Sequence, residues 1–473
     1  MRYVRTAARA SAAAAALALP AMASDPARPG FQPLRFNEDW SVFADRTGEQ
    51  RTDPFDAVKY IRLTDDGAAY VSFGGSARTR LETWNGFNFG APPSARHNDT
   101  FVLGRILLHA DLHLGENVRI FAEGISAMSG DRRLPGGRRV LDVNTLDAQN
   151  AFLDLRLPFA DDASVTLRAG RQELLFGRQR LVSPLDWANT KRTFDGVCGI
   201  VSYAGWTFHG FWTQPVPVRK YELSRGDSNS DFYGLHATGA LDLIDASLEL
   251  YWYGLHRDDP VAYNETSGRE RRHTLGSRLF GVIGESPFDY DVEGAYQFGE
   301  VGPGDVSAFM VAAQVGYRFG DAWSRPRIFA GFDYASGDRS TGGDVQTFNQ
   351  LFPLGHAFLG WLDAIGRQNI MAFSTGVTFT PIQRLTVNLH GHYFLRARRD
   401  DALYNVGGGV SRPGSAGDSR EVGSEIDLLL QYQLNRQTSF LLGYSYFIPG
   451  DFIKESGPSR STGFFYAGAE FRF

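Results

Sequence analysis

From residue 67 onward the chain alternates apolar and polar positions with a period of two. Val71, Phe73, Gly75, Ala77, Thr79 and Leu81 interleave with Ser72, Gly74, Ser76, Arg78, Arg80 and Glu82. That is a strand with one apolar and one polar face, long enough at about ten residues to cross a bilayer. The rhythm returns at 102–114, with Arg105, His109, Asp111 and His113 on the polar face, at 118–128 with Arg119 and Glu123, and at 151–159 with Asp154 and Arg156. Val165, Leu167 and Ala169 alternate with Thr166, Arg168 and Gly170. Further windows are 233–241, 248–252, 275–283 with Arg278 inside, and 288–298 with Asp289, Asp291, Glu293 and Gln297 inside. They continue at 309–319, 328–334, 371–379, 385–395, 426–434, 440–448 and 463–473. Any one window is a weak signal, and the series carries the argument.

The connections between windows alternate in length. Short ones fall at 115–117, 160–163, 204–205, 381–382 and 435–437, and long polar ones at 83–99, 129–147, 175–191, 214–230, 257–272, 336–368, 397–420 and 449–461. Short turns at one end and long loops at the other predict an all-β fold, a transmembrane antiparallel barrel of about 18 strands with both termini in the periplasm. The last window places Phe465, Ala467, Ala469, Phe471 and Phe473 on one face, so the chain stops on an aromatic in alternating register. Such an end resembles the signal read by the barrel assembly machinery, a partner expected during biogenesis.

Composition adds a location. Arg2, Arg5 and Arg9 precede an Ala- and Leu-rich core at 10–19 and Ala21-Met22-Ala23, which predicts a secretory signal peptide over 1–23 with cleavage near Ala23. Its apolar core is too short to span a membrane. The expected organisation is then an extension at 24–66, tucked into the barrel mouth or left in the periplasm, followed by the barrel at 67–473 in the bacterial outer membrane. Removing three arginines takes the formal charge from −5 to −8, so net charge carries no information about what a basic lumen would bind. A single cysteine, Cys198, excludes an intramolecular disulfide framework.

Arginines on the polar faces should meet water, because each would cost about 2–4 kcal/mol against lipid at the midplane. Arg78, Arg80, Arg105, Arg119, Arg156, Arg168, Arg278, Arg327 and Arg396 fall there. Fixed guanidinium groups around a lumen favour anions, whereas pairing with Glu82, Asp111, Glu123, Asp154, Asp289, Glu293 and Asp333 would brace the wall. Both roles are expected. Arg171 shares a face with Arg168 only if Ala169-Gly170 forms a bulge. His109, Asp111 and His113, and separately His390 and His392, share strand faces, and Asp338 and Asp344 share a loop. Lumen hydration is the simpler role for the histidines, the loop matches no full calcium ligand set, and no metal or cofactor is expected. No Gly-x-Ser-x-Gly, His-Glu-x-x-His or phosphate-loop motif is present, and the chain is not expected to be an enzyme or to bind nucleic acid. Trp187, Phe348, Phe352, Phe358 and Trp361 lie in or beside long loops, as a lid or sugar platform or as anchors of a small satellite core.

Four stretches carry a family resemblance: GRQELLFGRQRLVSPLDWANTKRTFDG at 170–196, FNEDWSVFADRTG at 36–48, YVSFGGSARTRLE at 70–82 and TFNQLFPLGHAFLGWLDAIGRQN at 347–369. Together they resemble the alginate export family of outer-membrane barrels. The resemblance implies passive outward passage of an acidic polysaccharide such as alginate through a cationic lumen. By that resemblance Arg171, Glu173, Arg180 and Arg192 are pore-associated. Two other readings stay open: an anion-preferring diffusion porin for small organic anions or sugars, and an outer-membrane enzyme or adhesin mounted on a plugged barrel. Any gate is expected from the outer loops or the N-terminal extension. The expected partners are outer-membrane lipid and the anionic solute, with the chain working as a monomer.

Overall fold

The computed structural model describes residues 28–44, 53–160, 162–356, 358–415 and 417–473; the expected signal peptide and its cleavage site lie outside them. Eighteen long strands form the wall. They are β1 Ala69–Asn85, β2 Asp99–Leu114, β3 Val118–Ser129, β4 Asn144–Ala160, β5 Ala163–Gln172, β6 Phe194–Tyr203, β7 Trp206–Pro215, β8 Ser230–Leu241 and β9 Ala246–Tyr263. The circuit continues with β10 Thr266–Val282, β11 Phe288–Val301, β12 Gly304–Arg318, β13 Arg327–Ala335, β14 Ile370–Ile382, β15 Leu385–Arg396, β16 Glu421–Gln433, β17 Thr438–Pro449 and β18 Thr462–Arg472. Each strand pairs antiparallel with the next, and β18 pairs back onto β1 from Ser76↔Arg472 to Asn85↔Gly463. Closure leaves the wall without a free strand edge, which is what a sheet in hydrocarbon requires. No described helix is long and apolar enough to cross a membrane, so the crossing is made by strands.

The period of two is the period of burial. On β2, Val102, Ile106 and Leu108 are about half exposed on the outer face, while Leu103, Arg105 and Leu107 are buried inside. Inward-facing aromatics need room where strands meet. Tyr466 of β18 lies across Gly443 of β17, where an added Cβ would stand 2.0 Å from the ring.

Connections at the end holding Phe473 and the start of β1 run from two residues to the eight of 319–326. Opposite them are the long loops 86–98, 130–143, 173–193, 216–229, 336–369, 397–420 and 450–461. The expected loop at 257–272 is instead a continuation of β9 and β10, which meet in a turn at Asn264 and Glu265. Its charges look like a solvated loop in sequence but pair across the inner face: Glu270 accepts from Arg257 Nε at 2.8 Å, Arg272 Nε at 2.6 Å and Tyr263 Oη at 3.0 Å. Likewise Pro381 and Ile382 end β14, and the turn is made by residues 383–384.

The segment before β1 tucks into the mouth at the short-turn end. Phe36 packs between Phe121 and Phe152, inward residues of β3 and β4, at 5.7 and 5.2 Å between ring centroids. Ile61–Arg62 add a short strand to the start of β1.

Ile106, at the middle of β2 on the outer face, tests the sidedness. Ile106→Arg should lower unfolding free energy in phospholipid vesicles by about 2–4 kcal/mol, measured by denaturant titration, with a much smaller loss for Ile106→Leu.

Candidate permeation constriction

The 173–193 loop leaves β5 and folds back into the barrel because its apolar residues find a core there. Leu174, Phe176, Leu181 and Val182 are buried in one cluster with Phe194, Phe211, Phe232 and Tyr253 of β6–β9. Phe176 stacks on His236 at 4.7 Å and packs against Phe211 at 5.4 Å. From this anchor the loop reaches two stretches of wall. Toward β11, Arg180 Nη1 donates to Asp291 Oδ1 and Glu293 Oε2, both at 2.8 Å, and Arg178 donates to Gln314 of β12 at 3.2 Å. Toward β1 and β2, the three consecutive carbonyls of Asp186, Trp187 and Ala188 accept from arginines. Arg78 donates to Asp186 O at 2.7 Å and Ala188 O at 2.5 Å, Arg80 to Trp187 O at 2.7 Å, and Arg105 to Asp186 O at 3.1 Å. Arg105 also reaches Asp186 Oδ1 at 2.9 Å. The loop is therefore strapped across the lumen rather than standing over it.

A second long loop backs the first. Ser183 N donates to Phe352 O at 2.9 Å and Phe352 N to Leu181 O at 2.8 Å, a short parallel bridge between loops far apart in sequence. Trp187 stacks on His356 at 3.8 Å beneath the Arg80 guanidinium, which lies 4.0 Å from the indole. Phe348 and Trp361 are buried in the same cluster as Phe176, with Trp187, Phe352 and Phe358 packed against it. These aromatics anchor the loops in the main barrel core, shared with wall residues such as Phe194, Phe232 and Tyr466, rather than in a small satellite core of their own.

The arginines expected at the pore separate by their partners. Carboxylates hold Arg168, through both oxygens of Asp154 at 2.8 Å; Arg180, as above; and Arg278, through Glu249 at 2.9 Å and Asp291. Backbone carbonyls are the main acceptors of Arg78 and Arg105, and Arg192 donates to the carbonyls Ser183 O at 2.9 Å and Phe352 O at 2.6 Å. Arg80 combines Glu82, at 2.9 Å from its Nε, with the Trp187 carbonyl. Arg396 is fully buried at the long-loop end of β15. It donates to Arg399 O and Ser419 O and lies 3.7 Å from the Phe452 ring, bracing loops rather than lining a ring of cations.

Arg171 departs furthest from expectation. Both pairings of β5 run through Ala169, Gly170 and Arg171 without a register shift, so no bulge forms and Arg171 falls on the opposite face from Arg168. There it pairs with Asp195 at 2.7 Å and with Ser224 O of the 216–229 loop at 3.0 Å. Gly170 is still required: its φ of +131° and an Ala151 carbonyl 2.2 Å from any added Cβ exclude a side chain.

Among the acids, Asp111 accepts both Arg119 bonds at 2.7 Å, Glu123 accepts from Asn150 at 2.8 Å, and Asp289 accepts from Arg327 at 2.8 Å. Glu293 also accepts from Tyr251 at 3.0 Å, and Glu173 holds Lys191 at 2.8 Å. No group of three or more His, Cys, Asp or Glu among the described residues is arranged to hold a metal ion. Asp186, Lys191, Arg178, Asp291 and Arg367 join the site without having been singled out as site residues. All five lie in the 170–196 and 347–369 stretches or in the 288–298 window, and their roles depend on which wall each loop meets.

Loop electrostatics follow from burial. The enclosed position of Asp186 inside the barrel would raise its carboxyl, although the side chain stays half exposed, and Arg105, Lys191 and Arg78 outweigh this and hold it well below the usual range. Burial alone pushes Arg192 down to about 10, still charged at neutral pH. In the backing loop, burial and the neighbouring Asp401 push Asp338 up to about 6, where it accepts the Thr347 N–H at 2.8 Å.

A sequence model described as alginate export matches residues 69–467. No curated protein matches the chain. Among solved structures, Pseudomonas aeruginosa OccD3 (OpdP) superposes with a TM-score of 0.56 at 10% identity, over 88% of this chain and 93% of that one. Pseudomonas aeruginosa OpdO gives 0.54 at 12% identity, over 85% and 97%. OccK2 (OpdF), solved in complex with glucuronate, gives 0.54 at 12%, over 85% and 98%. At these identities the likeness is one of fold.

Asp338 generates a pH prediction. A carboxyl raised above its ordinary value stabilises the folded loop in full below about pH 4, and that contribution is lost as pH rises through 6, by at most about 3 kcal/mol. Proteolytic nicking of the 336–369 loop should therefore accelerate between pH 4 and 7, and Asp338→Asn should flatten the profile at the slow rate.

Proposed function

The chain belongs to the alginate export family, and from that premise we propose that this outer-membrane channel passes a uronate polymer through a constriction lined by Arg78, Arg80 and Arg105. That the chain is a barrel channel for passive transport follows from the family and the fold. The finer reading rests on one observation: these arginines meet the lumen loop mainly through the carbonyls of residues 186–188. A guanidinium paired with a carboxylate is neutralised, as Arg168 and Arg278 are. Arg78, held by carbonyls, is not neutralised in this way and has exchangeable partners, while Arg80 and Arg105 add one carboxylate each, Glu82 and Asp186, to their carbonyl contacts.

Uronate carboxylates suit such a site. They accept planar, bidentate bonds from arginine, and a charged acceptor is stronger than an amide carbonyl. A polymer with a carboxylate on every residue passes from one guanidinium to the next, and binding that is spread over several weak contacts permits exit as well as entry. No energy source is needed beyond the polymer's own gradient.

A second reading, entry of monomeric uronates or other small organic anions, draws on the two interlocked loops, which narrow the path. The structural relative with bound glucuronate adds a fold precedent.

Planar-bilayer recording separates them. The parent should prefer anions, and uronate oligomers should block it. Arg78→Ala, Arg80→Ala and Arg105→Ala should each weaken block about tenfold or more, the effect of losing a charge-assisted contact of about 1.5–3 kcal/mol. The corresponding lysine variants should retain selectivity. Block by monomer but not by oligomer would favour the small-anion reading, and block indifferent to all three arginines would remove both.

A further inference from the structure

Arg168 lies two residues before the 170–196 stretch that carries the family resemblance, but its surroundings assign it a different task from the constriction arginines. Asp154 holds it through both carboxylate oxygens, so it contributes little field to the lumen. Its guanidinium plane instead lies 3.8 Å from the Phe152 ring and 4.5 Å from Phe36. Phe36 belongs to the segment before the barrel and is inserted, edge-on, between Phe121 and Phe152. Leu34 completes this cluster, and the partly buried side chain packed against it is Leu175 of the lumen loop.

The rest of the segment is held around the same sector of the mouth. Arg35 donates to Gly75 O at 3.0 Å and to Phe473 O at 2.8 Å, where β18 meets β1. Lys59 Nζ donates to Phe73 O at 2.8 Å and lies 4.6 Å from the Trp40 ring. Trp40, Phe43, Tyr60 and Tyr70 form a second small cluster, closed by Tyr70 stacking on His113 at 4.5 Å. Arg436, from the turn between β16 and β17, donates to Pro29 O and covers Phe31 at 4.5 Å. These attachments run from that turn through β18 and β1 to β5, and all lie at the periplasmic end.

We propose that residues 28–44 and 53–60 are a periplasmic plug, seated by Phe36 in the Phe121–Phe152–Arg168 socket, and that the cluster it completes, against which Leu175 packs, holds the lumen loop in its narrow position. Withdrawal of Phe36 removes the floor under Leu175 and widens the path at two levels, the mouth and the loop. The two small aromatic clusters are separate from the main barrel core. The segment can therefore leave without unfolding the wall. This control is independent of what the channel carries.

The full-length protein in planar bilayers, in simple salt without uronate, tests it. Phe36→Ala should raise mean single-channel conductance severalfold or add a larger open state, Phe36→Tyr should resemble the parent, and Leu175→Ala should give a partial increase. In a Cys198→Ser background, Phe36→Cys should react slowly with a bulky maleimide applied from the periplasmic side, and the adduct, unable to reseat, should lock the large state. Unchanged conductance in Phe36→Ala, or complete maleimide labelling with unchanged conductance, would overturn the plug. Heat-modifiable migration on gels confirms that each variant is a folded barrel. Uronate block measured on the same channels reads the constriction separately, so either proposal can fail without the other.

Discussion

A strand crossing hydrocarbon has no water to satisfy its backbone, so every N–H and C=O in the wall must find another strand. The pairing of β18 with β1 is where this requirement is met, and the rest of the architecture follows from it. Closure fixes the register of all eighteen strands, and register fixes which side chains face in. A slip of one residue in β1 would carry Arg78, Arg80 and Glu82 to the lipid side and Phe73 and Leu81 to the lumen. The penalty for charge at the bilayer midplane therefore guards the polarity of the lumen as well as the fold.

Eighteen strands enclose more space than their own inward side chains fill, and the long loops occupy it. The 173–193 and 336–369 loops bring an apolar core into the barrel and join through the Ser183–Phe352 and Phe352–Leu181 bonds. Their charged residues then face wall residues, and the ion pairs formed there set position more than they add stability, since desolvation offsets much of the attraction in buried pairs. Arg180 between Asp291 and Glu293 pins the loop to β11, and Arg78, Arg80 and Arg105 pin it to β1 and β2. Trp187 sits at the junction, with its carbonyl bonded to Arg80 and its ring stacked between Arg80 and His356.

The alternating pattern made the fold legible because period-two burial is local: each strand reports its own two faces. Most outer loops were legible for the same reason, through polarity and length. The 257–272 stretch was not, because Arg257, Glu270 and Arg272 are satisfied across a hairpin, and a single strand's sequence does not show its partner. Arg171 was expected at the pore by resemblance, and the bulge at Ala169-Gly170 that would have put it on the face of Arg168 does not form. The glycine was correctly marked as unusual, but it serves a close approach to Ala151 rather than a change of register. The density of arginines in 170–196 pointed to the lumen, yet the separation of carboxylate-held from carbonyl-held arginines was out of reach. Arg80 and Trp187 are 107 residues apart, and only the topology brings them together.

That separation bears on how a strapped loop can also be a passage. Breaking Arg168 from Asp154, or Arg180 from Asp291 and Glu293, would remove a buried carboxylate's cation and leave its charge less compensated, an expensive state. Releasing Arg78 and Arg80 from carbonyls leaves only neutral acceptors behind, and an entering carboxylate offers each guanidinium a stronger partner than the one given up. Under the proposed function a polyanion has differential affinity for the loosened loop, which is the condition for a ligand to shift a conformational equilibrium. The contacts of Arg180 with Asp291 and Glu293 of β11 keep the loop tethered on that side, so the proposed passage lies along β1 and β2, where carbonyls hold Arg78.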